Sequence, residues 1–583
     1  MSRIFLLHAR RINLISIIFL LFGIAILTKV FYIQTFNFSK YKRDVIAKGI
    51  TKKTMKGFRG SIFDRNGNPL AEVIKTYTFW ANTNNKVDKE KIYTLFSKTF
   101  NQPKKFYESL LLKNKDYIEL AHGKLISQSE PVLEQIKNIK GLYCDINISR
   151  YYPYNNLVSQ VVGYVDRDYL GQFGIERQFD SLLKGKTGTI TYNVSANGRL
   201  REAVLKQNNN PKNGSDIELT LDIDKQIILL SALKKGLDRS GAKSANGIIL
   251  DPYTGDILAM ASVPDFNPNE YWNFNVSNFA NRTISEAYEP GSTYKVVPIV
   301  AALELKKFSK NDLFFCENGK YKIIPSKTIH DHEPHGNLTL SEIFIYSSNI
   351  GLSKMVDKLG AHHIYDYSRK FGFGVRTGIP LPSETPGMLR QFEGWTRLSG
   401  PSVSMGQEIA INSLQLALAY CAVANGGFLP KVRLIKKIYG PEYEKRDYSP
   451  QTLRKVMSPQ TSNMLLSMME DVVNRGTGYN AKIPGFKIGG KTGTAEKFIN
   501  GSYSKHQFIS SFVSIFPTNK PKYVCVISVD SPDYKRGKHW GNETAAPIVK
   551  DIFERLIIQD EDIITNTANH DYKQIIVNSL GPM

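Results

Sequence analysis

Cysteine is scarce in this chain, four in 583 residues, and Cys144, Cys316, Cys421 and Cys525 stand far apart. That spacing builds neither a disulfide framework nor a zinc site, so the four are expected to be small buried hydrophobes. Acidic side chains are also short, 53 against 76 lysines and arginines, which leaves a formal charge of +23. Such an excess raises a membrane surface, an anionic polymer or nucleic acid as partners. It is spread along the chain, with no zinc-ligand spacing and no basic helix, so no nucleic acid is expected and the plain reading is a solvated basic surface. Low-complexity tracts are missing and 42% of residues are hydrophobic, which excludes wholesale disorder. The length leaves room for about three or four domains.

One uncharged apolar run stands out. Residues 12–28 are mostly Ile, Leu and Phe, preceded by Arg3, Arg10 and Arg11 and followed by Lys29, Phe31 and Tyr32. At 1.5 Å per residue such a run spans about 25 Å, enough for a membrane helix with Lys29 snorkelling and the aromatics at the interface. Gln34, Thr35 and Phe36 stand where a cleavage site would need small residues, which favours an uncleaved signal anchor. Lys40, Lys42 and Arg43 also follow the run, so charge counting does not settle orientation.

The expected organisation is an anchor with its stub over 1–38, a pedestal of short strands and Gly, Asn and Pro turns over 39–222, a larger domain over 223–562 and a loose tail over 563–583. In the larger domain 227–237 reads as a helix, 247–262 as two strands turning at Tyr253, Thr254 and Gly255, and 508–516 and 523–529 as further strands. The fold class is α+β, helices packed on an antiparallel sheet.

Three motifs carry chemistry. In Glu289-Pro290-Gly291-Ser292-Thr293-Tyr294-Lys295 a turn opens into an apolar run, placing Ser292 in the first turn of a helix with Lys295 one turn on, where a neutral amine can take the serine proton. Pro298 is expected to kink that helix about Tyr294. Ser347-Ser348-Asn349 falls between two helical stretches, the first opened by a capping box at Thr339 and Glu342, the second closing near Gly360. From such a loop Ser347 can shuttle a proton and Asn349 can hold a substrate amide. Lys491-Thr492-Gly493-Thr494 reads as a strand beside a cleft: Lys491 and the two threonines suit a carboxylate, Gly493 lets a ligand approach, and the N–H of Thr494 can join that of Ser292 in an oxyanion hole.

Each motif has decoys. Ser-x-x-Lys recurs at Ser39/Lys42, Ser181/Lys184, Ser231/Lys234, Ser240/Lys243 and Ser502/Lys505. Ser181/Lys184, Lys186-Thr187-Gly188-Thr189 and Ser195/Asn197 even form a second trio, but one too compact to occupy a helix, an interhelical loop and a strand of another layer. Residues 485–492 match the phosphate-loop pattern G-x-x-x-x-G-K-T, which must open a helix, yet Asn500, Gly501 and Ser502 interrupt the chain at once.

Taken together the motifs resemble the class B penicillin-binding proteins, in particular the division transpeptidases of the FtsI type. Arg59-Gly60-Ser61-Ile62-Phe63-Asp64-Arg65-Asn66-Gly67, then Arg150, Tyr152-Pro153, Gly163, Gly174 and Glu176 resemble the family's pedestal signatures, and Asn281-Arg282 and the three motifs follow in the family's order. The resemblance implies a single-pass inner-membrane protein with its bulk in the periplasm, a dimerisation-type pedestal and a penicillin-binding transpeptidase domain. It implies that Ser292 attacks the penultimate D-alanine of a stem peptide and that an amine of a neighbouring stem completes the cross-link. Lys295 and Ser347 would share in catalysis, and Asn349, Lys491, Thr492, Gly493 and Thr494 would bind substrate. β-Lactams would acylate the same serine; a glycosyltransferase and divisome proteins would be partners; no cofactor or metal is implied. The Arg59 and Arg150 clusters are expected to be scaffolding, a salt-bridged interdomain contact. The rivals are an elongation-type transpeptidase, a D,D-carboxypeptidase, a β-lactamase and a β-lactam-binding sensor. The long pedestal speaks against the carboxypeptidase and β-lactamase, and the Ser-Ser-Asn triplet and the Asn281-Arg282 segment look more like the division type than the elongation type.

Overall fold

The computed structural model describes residues 2–40, 50–83, 87–113, 115–194, 200–203, 210–441, 443–499, 501–560 and 562–563. They divide into two compact units, residues 1–58 with 184–214, and residues 59–183 with 215–583. The tail expected over 563–583 lies outside the described residues except for Ile563, which is buried.

The first unit contains helix α1 (Ser2–Thr35), of which Arg10–Thr35 has a mean hydropathy of 2.6 and no buried residue. Its 26 residues correspond to about 39 Å, more than a bilayer core requires. Its apolar side chains, Phe19 and Leu27 among them, are exposed. The unit also holds a three-stranded sheet in which Ile50–Met55 and Leu200–Ala203 flank Gly188–Val194.

In the second unit the pedestal segment contributes β1 (Ile62–Phe63), the long β2 (Pro69–Asn82), β3 (Tyr117–Lys124) and β4 (Leu142–Tyr151). β5 (Asp216–Leu219) lies parallel to β1 and antiparallel to Ile435–Gly440, so one sheet joins strands far apart in sequence. The salt bridges expected around Arg59 and Arg150 are present, but these two arginines make them within the pedestal segment and not as an interdomain contact. Glu176, fully buried, receives Arg59 Nε at 2.6 Å and Arg150 Nε at 2.7 Å, while Arg59 Nη1 reaches Asp180 at 2.7 Å and Arg150 Nη1 the Gly60 carbonyl at 2.8 Å. Two cations on one carboxylate, each with a further acceptor, offset much of the cost of burying these charges, although Arg150 Nη2 has no hydrogen-bond partner among the described residues. Gly163 is irreplaceable here: it holds a φ of +82° and a Cβ would fall 1.8 Å from the Phe173 carbonyl oxygen.

The larger domain begins at α2 (Ile223–Ser240), capped by Asp222 and closed by Gly241 in the left-handed conformation. Its sheet is built from β6 (Ser244–Leu250) and β7 (Ile257–Val263), whose fourteen residues are all buried, and from three strands near the end of the chain. Between these two sets lie α3 (Val296–Glu304), α4 (Leu340–Ile345), α5 (Asn349–Leu359), α6 (Ser413–Ala424) and α7 (Pro459–Asn474). The late strands are β8 (Gly489–Ile499), β9 (Ser502–Phe516) and β10 (Tyr523–Asp530), followed by α8 (Gly541–Gln559). Sheet order is β7-β6-β10-β9-β8, antiparallel throughout, with β8 at the edge. α2 and α8 cover one face and the helical layer around α6 the other, which is why β6, β7 and β10 are buried without alternation. All twelve residues of α6 are buried; at about 1.5–3 kcal/mol for each fully buried large apolar side chain, this helix anchors its layer.

Candidate active site

The segment after Pro290 is not the α-helical turn that the Ser292/Lys295 spacing suggests. Gly291–Lys295 is a 3₁₀ turn and the α-helix starts only at Val296. Three residues per turn set Ser292 and Lys295 one above the other. The expected kink at Tyr294 is therefore a change of helix type. Pro298 is the third residue of α3, where a backbone N–H would have no intrahelical partner, so proline costs nothing there. The turn is tightly held: Tyr420 Oη, from the middle of α6, donates to the Thr293 carbonyl at 2.7 Å, Tyr294 Oη pairs with Ser368, and the Gly291 N–H donates to Gly406 O at 3.2 Å. Ser292 is partly exposed, and among the described residues its Oγ has no hydrogen-bond partner.

Lys295 is completely buried, and its Nζ lies against the Ser347 loop. It lies 2.6 Å from Ser347 O, 3.1 Å from Ser347 Oγ and 2.7 Å from Asn349 Oδ1. Burial pulls its pKa down to about 7, against an upward pull from Asp331. At neutral pH the amine is thus divided between its charged and neutral forms.

The loop between α4 and α5 forms as its sequence indicates. Thr339 and Glu342 make the capping box of α4, and Gly360 closes α5. Ser347 holds a left-handed φ of +61°, uncommon for a non-glycine residue, and Ser348 caps α5 by accepting from the Gly351 N–H at 3.0 Å. The left-handed turn presents both oxygens of Ser347 to the lysines.

Lys491, also completely buried, places Nζ 3.0 Å from Ser347 Oγ, so that one hydroxyl stands between two lysine amines. Burial first, and then the neighbouring Lys295, push the Lys491 pKa well below the ordinary lysine value. Lys491 to Thr494 lie within β8, in register with Val513 to Ser510 of β9. A strand there, with no helix following, removes the phosphate-loop reading. Gly493 is required by space: a Cβ would fall 2.4 Å from Ser511 Oγ and 2.8 Å from Pro290 O. The strand thus abuts the Ser292 turn. Thr492 Oγ1 pairs with Thr477 Oγ1 at 2.8 Å, and Thr494 Oγ1 accepts from the Gly541 N–H of α8 at 3.1 Å.

The second trio is described only in part. Ser181, Lys184, Lys186 and Thr187 are exposed, and Ser195 and Asn197 lie outside the described residues. Three of the four cysteines are buried; Cys144 is half-exposed on the pedestal.

Sequence reasoning missed several residues that shape the site. Tyr420 is hidden in a mostly apolar, fully buried helix, Gly541 is distant in sequence, and His332 packs on Trp540 at 4.4 Å between ring centroids. Asp331 is the most intimate. Its Oδ1 accepts from the N–H groups of Asn349 at 2.5 Å and Ile350 at 3.0 Å, and its Oδ2 from Ser348 Oγ at 2.6 Å. No spacing rule points to it.

Residues 246–554 match the family model of the penicillin binding protein transpeptidase domain, and residues 54–219 that of the penicillin-binding protein dimerisation domain. This chain belongs to the class B penicillin-binding proteins of the FtsI type. It is 30% identical to a peptidoglycan D,D-transpeptidase FtsI homolog of Mesostigma viride over 94% of this chain and 95% of the relative. To the probable peptidoglycan D,D-transpeptidase PbpC of Pseudomonas aeruginosa it is 30% identical over 93% and 94%. Among solved structures, penicillin-binding protein 3 of Mycobacterium tuberculosis complexed with aztreonam superposes with a TM-score of 0.67 at 27% identity, covering 88% of this chain and 97% of that one. The ampicillin complex gives 0.68 at 26%, covering 89% and 98%. This penicillin-binding protein thus carries both the pedestal and the transpeptidase domain of its family.

Proposed function

We propose that this penicillin-binding protein is the peptidoglycan D,D-transpeptidase of the division septum, acting through an acyl-enzyme on Ser292. The observation that carries the assignment is the convergence of Lys295 Nζ and Lys491 Nζ on Ser347 Oγ, at 3.1 and 3.0 Å, beside the turn that bears Ser292. A buried lysine with a pKa lowered to about 7, as at Lys295, is suited to proton transfer at neutral pH.

In this reading neutral Lys295 takes the Ser292 proton as Oγ attacks the penultimate D-alanine carbonyl. The N–H groups of Ser292 and Thr494 hold the oxyanion. The carbon–nitrogen bond then breaks and the proton passes from Lys295 through Ser347 to the departing D-alanine amine. The amine of a neighbouring stem attacks the ester, forms the cross-link and returns the proton to Ser292. Lys491, Thr492 and Thr494 receive the substrate carboxylate, Gly493 leaves room for its backbone, and Asn349 holds a substrate amide. A β-lactam would enter the same sequence, its amide nitrogen staying tethered after ring opening.

The division role draws support from the FtsI-named relative and from the Ser-Ser-Asn triplet. The remaining assignments extend the same reading: α1 anchors the chain with its bulk on the periplasmic side, residues 39–222 act as the non-catalytic pedestal and 223–562 as the transpeptidase domain. A glycosyltransferase and other division proteins would dock on the pedestal. The test uses full-length protein in detergent with a stem-peptide donor ending in D-Ala-D-Ala and an amine acceptor, followed by mass spectrometry. Cross-linked product that disappears with Ser292→Ala supports the assignment; release of D-alanine by hydrolysis alone would favour the carboxypeptidase.

A further inference from the structure

We propose that Asp331 is a positioning residue for acylation, its carboxylate fixing the Ser347–Asn349 loop against Lys295 and keeping a negative charge beside that buried amine. The inference rests on the reading of Lys295 as the base.

Three hydrogen bonds carry the positioning part. All three acceptors of Lys295 Nζ belong to Ser347 and Asn349. Asp331 in turn takes the Asn349 N–H at 2.5 Å, the Ile350 N–H at 3.0 Å and Ser348 Oγ at 2.6 Å, one carboxylate gripping the three residues that follow Ser347. The His330 backbone carbonyl, next to it, accepts from Asn349 Nδ2 at 3.0 Å, so the end of the Lys327–His330 strand fixes the orientation of the amide that turns Oδ1 to the lysine. The left-handed φ of Ser347 is a conformation that a loop keeps only when its neighbours are fixed. A carboxylate on the first amides of α5, an eleven-residue helix, also lies where the helix dipole favours negative charge.

The charge acts on Lys295 as well. The groups facing that amine are Lys491 from β8, the neutral oxygens of Ser347 and Asn349, and Asp331 beyond them; Tyr294, on the same turn, is held neutral by burial. On the far side of Asp331 are Ser348 and the Cys316 thiol, which burial keeps protonated, with Lys354 acting on that thiol too. Asp331 is thus the carboxylate that offsets the desolvation of Lys295, and without it the amine would lose its proton at lower pH.

The experiment is the second-order rate of acylation of the full-length protein by a fluorescent penicillin from pH 5.5 to 9, with Asp331→Asn, Asp331→Ala and Lys295→Ala beside the parent. Asparagine keeps an oxygen for the two amides but not the charge. Asp331→Asn should move the midpoint of the pH–rate curve about one unit towards acid. Asp331→Ala, which loses the grip too, should have a plateau at least about tenfold below that of the asparagine variant. A purely structural Asp331 would lower the thermal midpoint of both variants without moving the pH midpoint, and that result overturns the charge role. Equal plateaus for asparagine and alanine overturn the positioning role. Acylation surviving in Lys295→Ala would instead sink the reading of the base, whatever Asp331 does.

Discussion

Gly493→Ala is the substitution on which the packing of the site bears most directly. A methyl group there would meet Ser511 Oγ at 2.4 Å, the Pro290 carbonyl oxygen at 2.8 Å and Thr293 Cγ2 at 2.9 Å. Ser511 can rotate, but Pro290 O is backbone and also accepts from Thr293 Oγ1 at 2.8 Å, within the turn that carries Ser292. β8 cannot retreat freely, because a Cβ on Gly541 would itself lie 2.6 Å from Gly493 O, which shows how closely α8 backs the strand. Relief to an ordinary contact of about 3.5 Å requires β8 and the Ser292 turn to part by roughly 0.7 Å. Overpacking of this kind costs about 1–3 kcal/mol of stability. On the proposed reading the functional cost is larger, since separating the N–H groups of Ser292 and Thr494 would spoil the proposed oxyanion hole, and loss of one such donor lowers rates by about 10²–10³. Thermal melting of Gly493→Ala beside the parent, with the acylation rate constant for a fluorescent penicillin, gives both numbers. A variant that acylates within threefold of the parent would refute the close approach of strand and turn.

Two further outcomes follow from the buried charges. With Lys295 as base and a pKa of about 7, the reactive species is the neutral amine, so acylation should rise about tenfold from pH 6 to pH 8. The sign is fixed by the depressed pKa: protonation below it removes the base, and a flat or falling profile would contradict the assignment. In the pedestal, Glu176→Ala leaves Arg59 and Arg150 buried without their shared carboxylate and should cost about 3–5 kcal/mol, seen as a lower thermal midpoint, while molecules that remain folded still acylate. An unchanged midpoint would show that the cluster is not structural.

The motif residues were legible because each sits where local signals agree. The capping box at Thr339 and Glu342 frames the Ser347 loop, and the strand character of residues 508–516 and 523–529 gives Lys491 its sheet. What escaped sequence reading is set by long-range geometry. The pairing of β5 with Ile435–Gly440 joins strands more than 200 residues apart, a choice made by tertiary packing that no period or turn announces. The 3₁₀ turn at Ser292 differs from an α-turn by a hydrogen-bond shift that composition does not encode. Asp331 and Tyr420 act through single hydrogen-bonding atoms presented by the fold, one from a hairpin end and one from an apolar helix whose pattern says only that it is buried.

Intact-protein mass spectrometry of the full-length chain after exposure to a penicillin, with peptide mapping, tests the central claim most directly. The account predicts one covalent adduct on Ser292, absent from Ser292→Ala and Lys295→Ala and unchanged in Ser181→Ala. An adduct that persists in Ser292→Ala, or that vanishes with Ser181→Ala, would contradict it.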